Sequence, residues 1–179
     1  MRRSSFADKE CSIARTLEVV GEWWTLLVLR EAFRGVRRFD AMQANLGIAR
    51  NILTARLRTL EAHGILERRC YQERPARFEY RLTQKGRDLY PVLVALMQWG
   101  DRYAAGAAGP PVRLVHMGCG HEATPVLACG HCGEPVTARD IRAVDARHPT
   151  TNIQASSPRP ARHGPPYRTE AARDKRASP

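Results

Sequence analysis

Two short helical runs that meet at a glycine, in the first half of the chain, constrain its fold more than any other feature. FDAMQANLG ends on Gly47, and a second run follows at once through Arg50, Leu53, Leu57 and Leu60 to Gly64. Two short helices joined by a tight, glycine-containing turn make a helix-turn-helix. Asp40 is placed to cap the first helix, with Gln43 three residues on returning the bond. After Gly64 the texture changes. ILERRCYQ is strand-like, ERPA reads as a turn, and in FEYRLT the apolar Phe78, Tyr80 and Leu82 alternate with polar neighbours, as a half-buried strand requires. Helix, turn, helix and then a hairpin with a basic tip is the winged-helix order.

The flanking segments are helical too. From Ser12 the apolar positions Ile13, Leu17 and Val20 recur at helical spacing until Gly21. TLLVLREAFRG is rich in strong helix formers and stops at Gly35. Beyond the hairpin, Thr83 is expected to cap one long helix, QKGRDLYPVLVALMQWGDRY, with Pro91 kinking it from inside. Its broad apolar stripe, from Leu89 to Tyr103, favours packing on a partner subunit over folding back on its own domain.

The fold class expected is therefore mainly α with a small β-hairpin wing, plus a small Cys/His-rich β segment and a disordered C-terminal tail. Residues 1–10 are read as a flexible N-terminus and 11–105 as the winged helix-turn-helix, serving DNA binding and dimerisation. Residues 106–112 (containing GAAGPP) are a linker, and 113–144 a Cys/His-rich, zinc-ribbon-like segment. The tail, 145–179, is rich in Pro, Arg, Ser and His and too poor in large apolar residues to fold alone. No internal repeat is evident.

Lys and Arg number 29 against 18 Asp and Glu, a formal net charge of +11. So basic a balance points to a polyanion, nucleic acid before an anionic membrane surface. The longest apolar run, around Trp23–Leu29, falls far short of the ~20 residues that a membrane span needs. The N-terminal stretch MRRSSFADKEC has no apolar signal core. A cytoplasmic protein without a membrane partner is expected, its five cysteines free thiols, metal ligands or sensors rather than a disulfide framework.

The second helix of the pair separates into two faces. At about 100° per residue, Leu57 and Leu60 share a side with Leu53, and Asn51, Thr54, Ala55 and Arg58 lie opposite. Arg can pair with guanine through two bonds and Asn with adenine, while Thr54 can bond a phosphate or touch a thymine methyl. Arg50 lies in the first turn, near amides that attract phosphate. Arg74 and Arg77 on the hairpin, whose turn Pro75 stiffens, can reach a minor groove or its phosphates. Arg37 and Arg38, just ahead of the motif, are candidate phosphate clamps. The partner expected is a double-stranded DNA operator.

From Cys11 to Tyr103 the chain resembles the HxlR-type family of bacterial winged-helix transcriptional regulators. The matching pieces are Cys11 opening the first helix, GEWWTLLVLREAFRGVRRF, LGIARNILTARLRTLEAHGILER, YQERPARFEYRLTQKGR and PVLVALMQWG, in that order. The resemblance covers about half of the chain. It implies a homodimer joined through its terminal helices, recognition helices in successive major grooves, and repression or activation of a nearby operon. Some members sense electrophiles, aldehydes or oxidants through a cysteine at the start of the first helix, a position that matches Cys11. A thiol at a helix N-terminus ionises more readily, and the thiolate is the reactive form. Where many members have Pro after that cysteine this chain has Ser12, and where many open the recognition helix with Ser it has Ala49, which removes a cap. Cys70, inside a strand, is read as structural.

The segment RLVHMGCGHEATPVLACGHCGEPV holds Cys119, His121, Cys129 and Cys132, a Cys-x-His pair followed by Cys-x-x-Cys. Four such ligands suit a closed structural Zn2+ site, with His116 and His131 as spare ligands. A metal-free hairpin with reduced cysteines and a reversible Cys129–Cys132 disulfide are the alternatives. A catalytic metal would need a nearby acid or base, and Glu122 and Glu134 are the only local carboxylates before Asp140. With no nucleophile–base pair and no phosphate-binding loop elsewhere, the chain reads as a regulator rather than an enzyme. The alternative function is a winged-helix protein-interaction or RNA-binding module with a structural zinc segment.

Overall fold

The computed structural model describes residues 5–6, 8–107 and 109–144. The expected disordered tail, and residues 1–4 and 7 of the expected flexible N-terminus, lie outside the described residues. The chain divides into two units, residues 1–113 and 114–179.

Unit 1 is a winged helix. Its helices are α1 (Ser12–Val20), α2 (Trp23–Phe33), α3 (Phe39–Leu46), α4 (Arg50–Ala62), α5 (Gln84–Arg87) and α6 (Tyr90–Tyr103), with strands β1 (Leu66–Gln72) and β2 (Arg77–Leu82) between α4 and α5. The strands pair antiparallel, with Leu66 opposite Leu82, Arg68 opposite Tyr80, Cys70 opposite Phe78, and a bulge between Cys70 and Gln72. The Cys70 thiol spans that bulge, donating to the Gln72 carbonyl at 3.1 Å. The Arg37–Arg38 stretch lies along the outer edge of β2. Arg38 forms a bridge with Glu79, and the Tyr80 amide donates to the Arg37 carbonyl at 2.8 Å.

The core sits where the helices meet the base of the wing. Val28, Leu29, Met42, Leu53, Leu57, Leu60 and Leu66 are buried there, with Tyr80, Leu82, Leu89 and Leu93 packed against them. A wholly buried acid lies in α2. Glu31 accepts from Arg30 at 2.9 Å and from Arg34 at 3.4 Å on one oxygen, and from the Asn45 amide at 2.8 Å on the other. One buried carboxylate thus ties α2 to α3 and has its lone pairs met, the condition on which a charge can be buried.

Two expectations need correction. Asp40 does not cap α3. Arg38, drawn into extended backbone by its bridge with Glu79, occupies the cap position, which leaves Asp40 in the first turn. Gln43 donates instead to the Ile48 carbonyl in the turn, at 3.4 Å. The long helix expected after Thr83 is two helices. Thr83 caps only the four-residue α5, accepting from the Gly86 amide at 3.1 Å. Pro91 stands in the first turn of α6 rather than kinking a helix from within. A residue without an N–H costs nothing at a helix start, where that amide has no partner in any case.

Unit 2 is described over residues 114–144 and consists of two small β-hairpins, closed by bridges between Val115 and Glu122 and between Ala128 and Pro135.

Candidate nucleic-acid interface

The site begins at the turn between α3 and α4. Gly47 closes α3 with φ of 60° in the left-handed region, and its amide donates to the Gln43 carbonyl at 2.9 Å. A glycine adopts that conformation without strain. The chain then buries Ile48 and enters α4 through Ala49, which stands at the N-cap with no side-chain bond. The wheel drawn from sequence is realised: Leu53, Leu57 and Leu60 are buried, while Asn51, Ala55 and Arg58 are exposed. Thr54 is half-buried, and its hydroxyl donates to the Arg50 carbonyl at 2.8 Å. With its proton committed to the helix, Thr54 offers an outside partner its methyl and an acceptor lone pair, rather than a donor to phosphate.

Arg50 lies at the start of α4, 4.7 Å over the Phe39 ring and 3.9 Å from Asp40 in an ion pair whose two side chains are largely exposed. So open a pair contributes little. Arg58 lies one turn beyond Thr54, toward the root of the wing. Burial pushes the Tyr80 hydroxyl above its ordinary value; the charges of Arg68 and Arg58 oppose that rise, and Glu61 adds to it.

The flanks carry the remaining cations. Arg38 stacks on Tyr71 of β1 at 4.7 Å, and Arg37 beside it is exposed. Arg74 and Arg77 are exposed on the wing, and among the described residues no acid pairs with either guanidinium. Arg68, not singled out from sequence, lies 3.5 Å over the Phe78 ring. Arg69 and Arg81 are held by Glu67 at 2.7 Å and Glu79 at 2.6 Å. That division of labour was not legible in the sequence, because it depends on which face of the hairpin each residue takes. The wing is left with Arg74 and Arg77 as its unengaged positive groups.

Cys11 is exposed at the N-cap of α1, with no side-chain hydrogen bond to the helix. In unit 2, Cys119, Cys129 and Cys132 are free thiols. The residue against Cys119 is His116, whose Nδ1 stands 3.3 Å from Sγ. His121 lies instead in the returning strand, where its carbonyl accepts from the His116 amide at 2.9 Å. The Cys129 thiol is held below its ordinary value by the backbone amides of Cys132 and His131 and by the Cys132 side chain.

Residues 19–107 match the model of a family described as HxlR-like helix-turn-helix. An HTH-type transcriptional regulator of Mycobacterium tuberculosis is 55% identical over 130 residues, which is 73% of this chain and 82% of that protein. Another from Synechocystis is 44% identical over 92 residues, 51% of this chain and 68% of that one. Among solved structures, PA1607, described as a candidate transcription factor, superposes with a TM-score of 0.70 at 41% identity, covering 79% of this chain and 99% of that one. PA1374 of Pseudomonas aeruginosa, described in the same way, gives 0.55 at 38% identity, with 82% and 96% covered.

Proposed function

The chain belongs to the HxlR-like helix-turn-helix family of transcriptional regulators, and from that premise we propose that it grips an operator as a homodimer, reading base edges with the exposed face of α4. The observation that carries this reading is the sorting of α4, with its leucines buried and Asn51, Ala55 and Arg58 turned outward. In this arrangement Arg58 and Asn51 address bases, and the Thr54 methyl packs on a thymine. Arg50, Arg37 and Arg38 hold phosphates beside the major groove, and Arg74 and Arg77 reach the next minor groove or its phosphates. A regulator of this kind works where the genome is, so we place it in the cytoplasm. Among the described residues no helix is long and apolar enough to cross a membrane.

The homodimer rests on α6. Leu93 and Val94 face inward, whereas Val92, Leu96, Trp99 and Tyr103, all on one face, are 41–65% exposed. On α1, Ile13 and Leu17 are exposed as well. Large apolar side chains left on one stripe of a terminal helix are what a second copy would cover. Cys11, at the start of α1, is where we propose a redox or electrophile signal enters. A change at its thiol would act on the helix that carries Ile13 and Leu17.

The test is a titration of the purified, reduced protein against the DNA flanking its own gene, at several salt concentrations, with unrelated duplex as competitor. Binding that survives competition and falls steeply with salt is expected, because phosphate contacts release counterions. Equal competition by every duplex would instead favour the protein-interaction module. Repeating the titration after oxidant treatment, with Cys11→Ser alongside, tests the sensor: the wild type is expected to lose affinity and the variant to keep it.

A further inference from the structure

The two hairpins of unit 2 are copies of one another, thirteen residues apart. The His116 amide donates to the His121 carbonyl at 2.9 Å, and the Cys129 amide to the Glu134 carbonyl at 2.8 Å. Gly120 donates to the His116 carbonyl at 2.8 Å, and Gly133 to the Cys129 carbonyl at 2.8 Å. Ala123 bonds to Leu114 as Val136 bonds to Leu127, at 2.8 and 2.9 Å. Gly120 and Gly133 share the left-handed backbone, with φ of 71° and 75°. This is a repeat where none is evident in the sequence. It puts His116 in register with Cys129, Cys119 with Cys132, and His121 with Glu134, a position in the returning strand.

We propose that the two hairpins are a pair of metal knuckles, and that His116, Cys119, Cys129 and Cys132 hold one structural zinc ion. This replaces His121 with His116 in the ligand set that the sequence suggests. Three observations support it. The His116 Nδ1 and Cys119 Sγ stand 3.3 Å apart, close to the roughly 3.5 Å that a tetrahedral zinc imposes between a nitrogen and a sulfur ligand at their usual bond lengths. Gly118 leaves room for that imidazole, since a Cβ there would stand 3.1 Å from its Cε1. In the second hairpin the Gly133 amide closes the same turn on the Cys129 carbonyl, at 2.8 Å, so Cys129 and Cys132 take the backbone positions that His116 and Cys119 take in the first.

The fourth support is what the unit lacks. None of its described residues is buried: Met117 is 90% exposed and Leu127 75%. Hydrophobic burial does not hold these hairpins together, and a metal crosslink supplies folding free energy directly. Among the described residues no three potential ligands already converge on one point, so binding draws the two preformed pairs together. One imidazole and three thiolates make a soft, closed donor set that suits zinc, and the three thiols release their protons to solvent as it binds.

The full chain, purified under reducing conditions without chelator, is analysed for metal by mass spectrometry and then titrated with Co2+ after zinc removal. One zinc per chain and the spectrum of tetrahedral, thiolate-bound cobalt are expected. Against a chromophoric chelator, His116→Ala and Cys129→Ser should each weaken zinc binding by about tenfold or more, since even partners beyond the ligands are worth that much, and His121→Ala should not. Circular dichroism, dominated by the helices of unit 1, verifies that each variant is folded. No metal uptake, six-coordinate cobalt, a metal-free Cys129–Cys132 disulfide under reducing conditions, or a loss that follows His121 rather than His116 would overturn the assignment.

Discussion

Glu31 shows how much one side chain settles here. It lies in α2 among apolar neighbours, wholly buried, with Arg30, Arg34 and Asn45 around it. Burial alone would raise its carboxyl; the Asn45 and Arg30 hydrogen bonds and the charges of Arg30 and Arg34 outweigh burial and hold it below its ordinary value. A group whose folded value is depressed stabilises the fold above its unfolded value, and that stability is lost as the pH falls through the folded one. Unfolding at a series of pH values should therefore show stability draining away below the ordinary carboxylate range. Glu31→Gln should cost about 1.5–3 kcal/mol at neutral pH and flatten the acid limb. A variant as stable and as acid-sensitive as the wild type would show that the α2–α3 tie lies elsewhere. The sequence shows only an acid inside a helical run. Its chief partner, Asn45, is fourteen residues away on another helix, and neither periodicity nor spacing reveals a contact of that kind. His116, a spare ligand in the sequence reading and a first-rank one in the proposed site, was passed over for a different reason. The shorter Cys-x-His spacing draws attention to His121, and only the backbone bonds show which residue of the first hairpin matches Cys129.

Elements were more legible than their joints. The helix α4 follows from three leucines at helical spacing between two glycines, and each of those leucines is buried as the wheel requires. The wing follows from period-two alternation after Gly64. The start of α3 and the break between α5 and α6 were misread because contacts remote in sequence decide both. Arg38 is held extended by Glu79 of β2, so the helix starts earlier than its best capping residue, Asp40, suggests. At the far end of the wing, Thr83 donates to the Gly64 carbonyl at 2.7 Å and accepts from Gly86, which fixes a single turn of helix against the exit of α4. Gly86 is buried at that junction, where a Cβ would stand 2.2 Å from the Ile65 carbonyl oxygen. Gly86→Ala must push the wing's base off α4, and denaturant unfolding should show a loss of about 1–3 kcal/mol, the usual cost of overpacking. An unchanged midpoint would mean that the joint is looser than its geometry implies.

At the scale of the molecule, unit 1 is oriented by what it leaves uncovered. The outer side of α4 presents Asn51, Thr54 and Arg58, the wing presents Arg74 and Arg77, and along α6 Val92, Leu96, Trp99 and Tyr103 lie open. The proposed two-fold dimer would cover the surface along α6 and repeat that of α4 one helical turn of DNA away. The net charge of +11 favours approach to any duplex without selecting one, whereas base contacts discriminate between sequences. The general surface and the selective face can therefore be separated by experiment. The most direct measurement is the affinity of the Asn51→Ala, Arg58→Ala double variant for the DNA flanking its gene, beside the wild type and with the solution mass recorded for both. Two bidentate base contacts are worth about 1–3 kcal/mol each. The account predicts a loss of roughly thirtyfold or more, down to the affinity for unrelated duplex, with an unchanged dimeric mass. Binding at wild-type strength and selectivity would contradict it and place the reading surface somewhere other than α4.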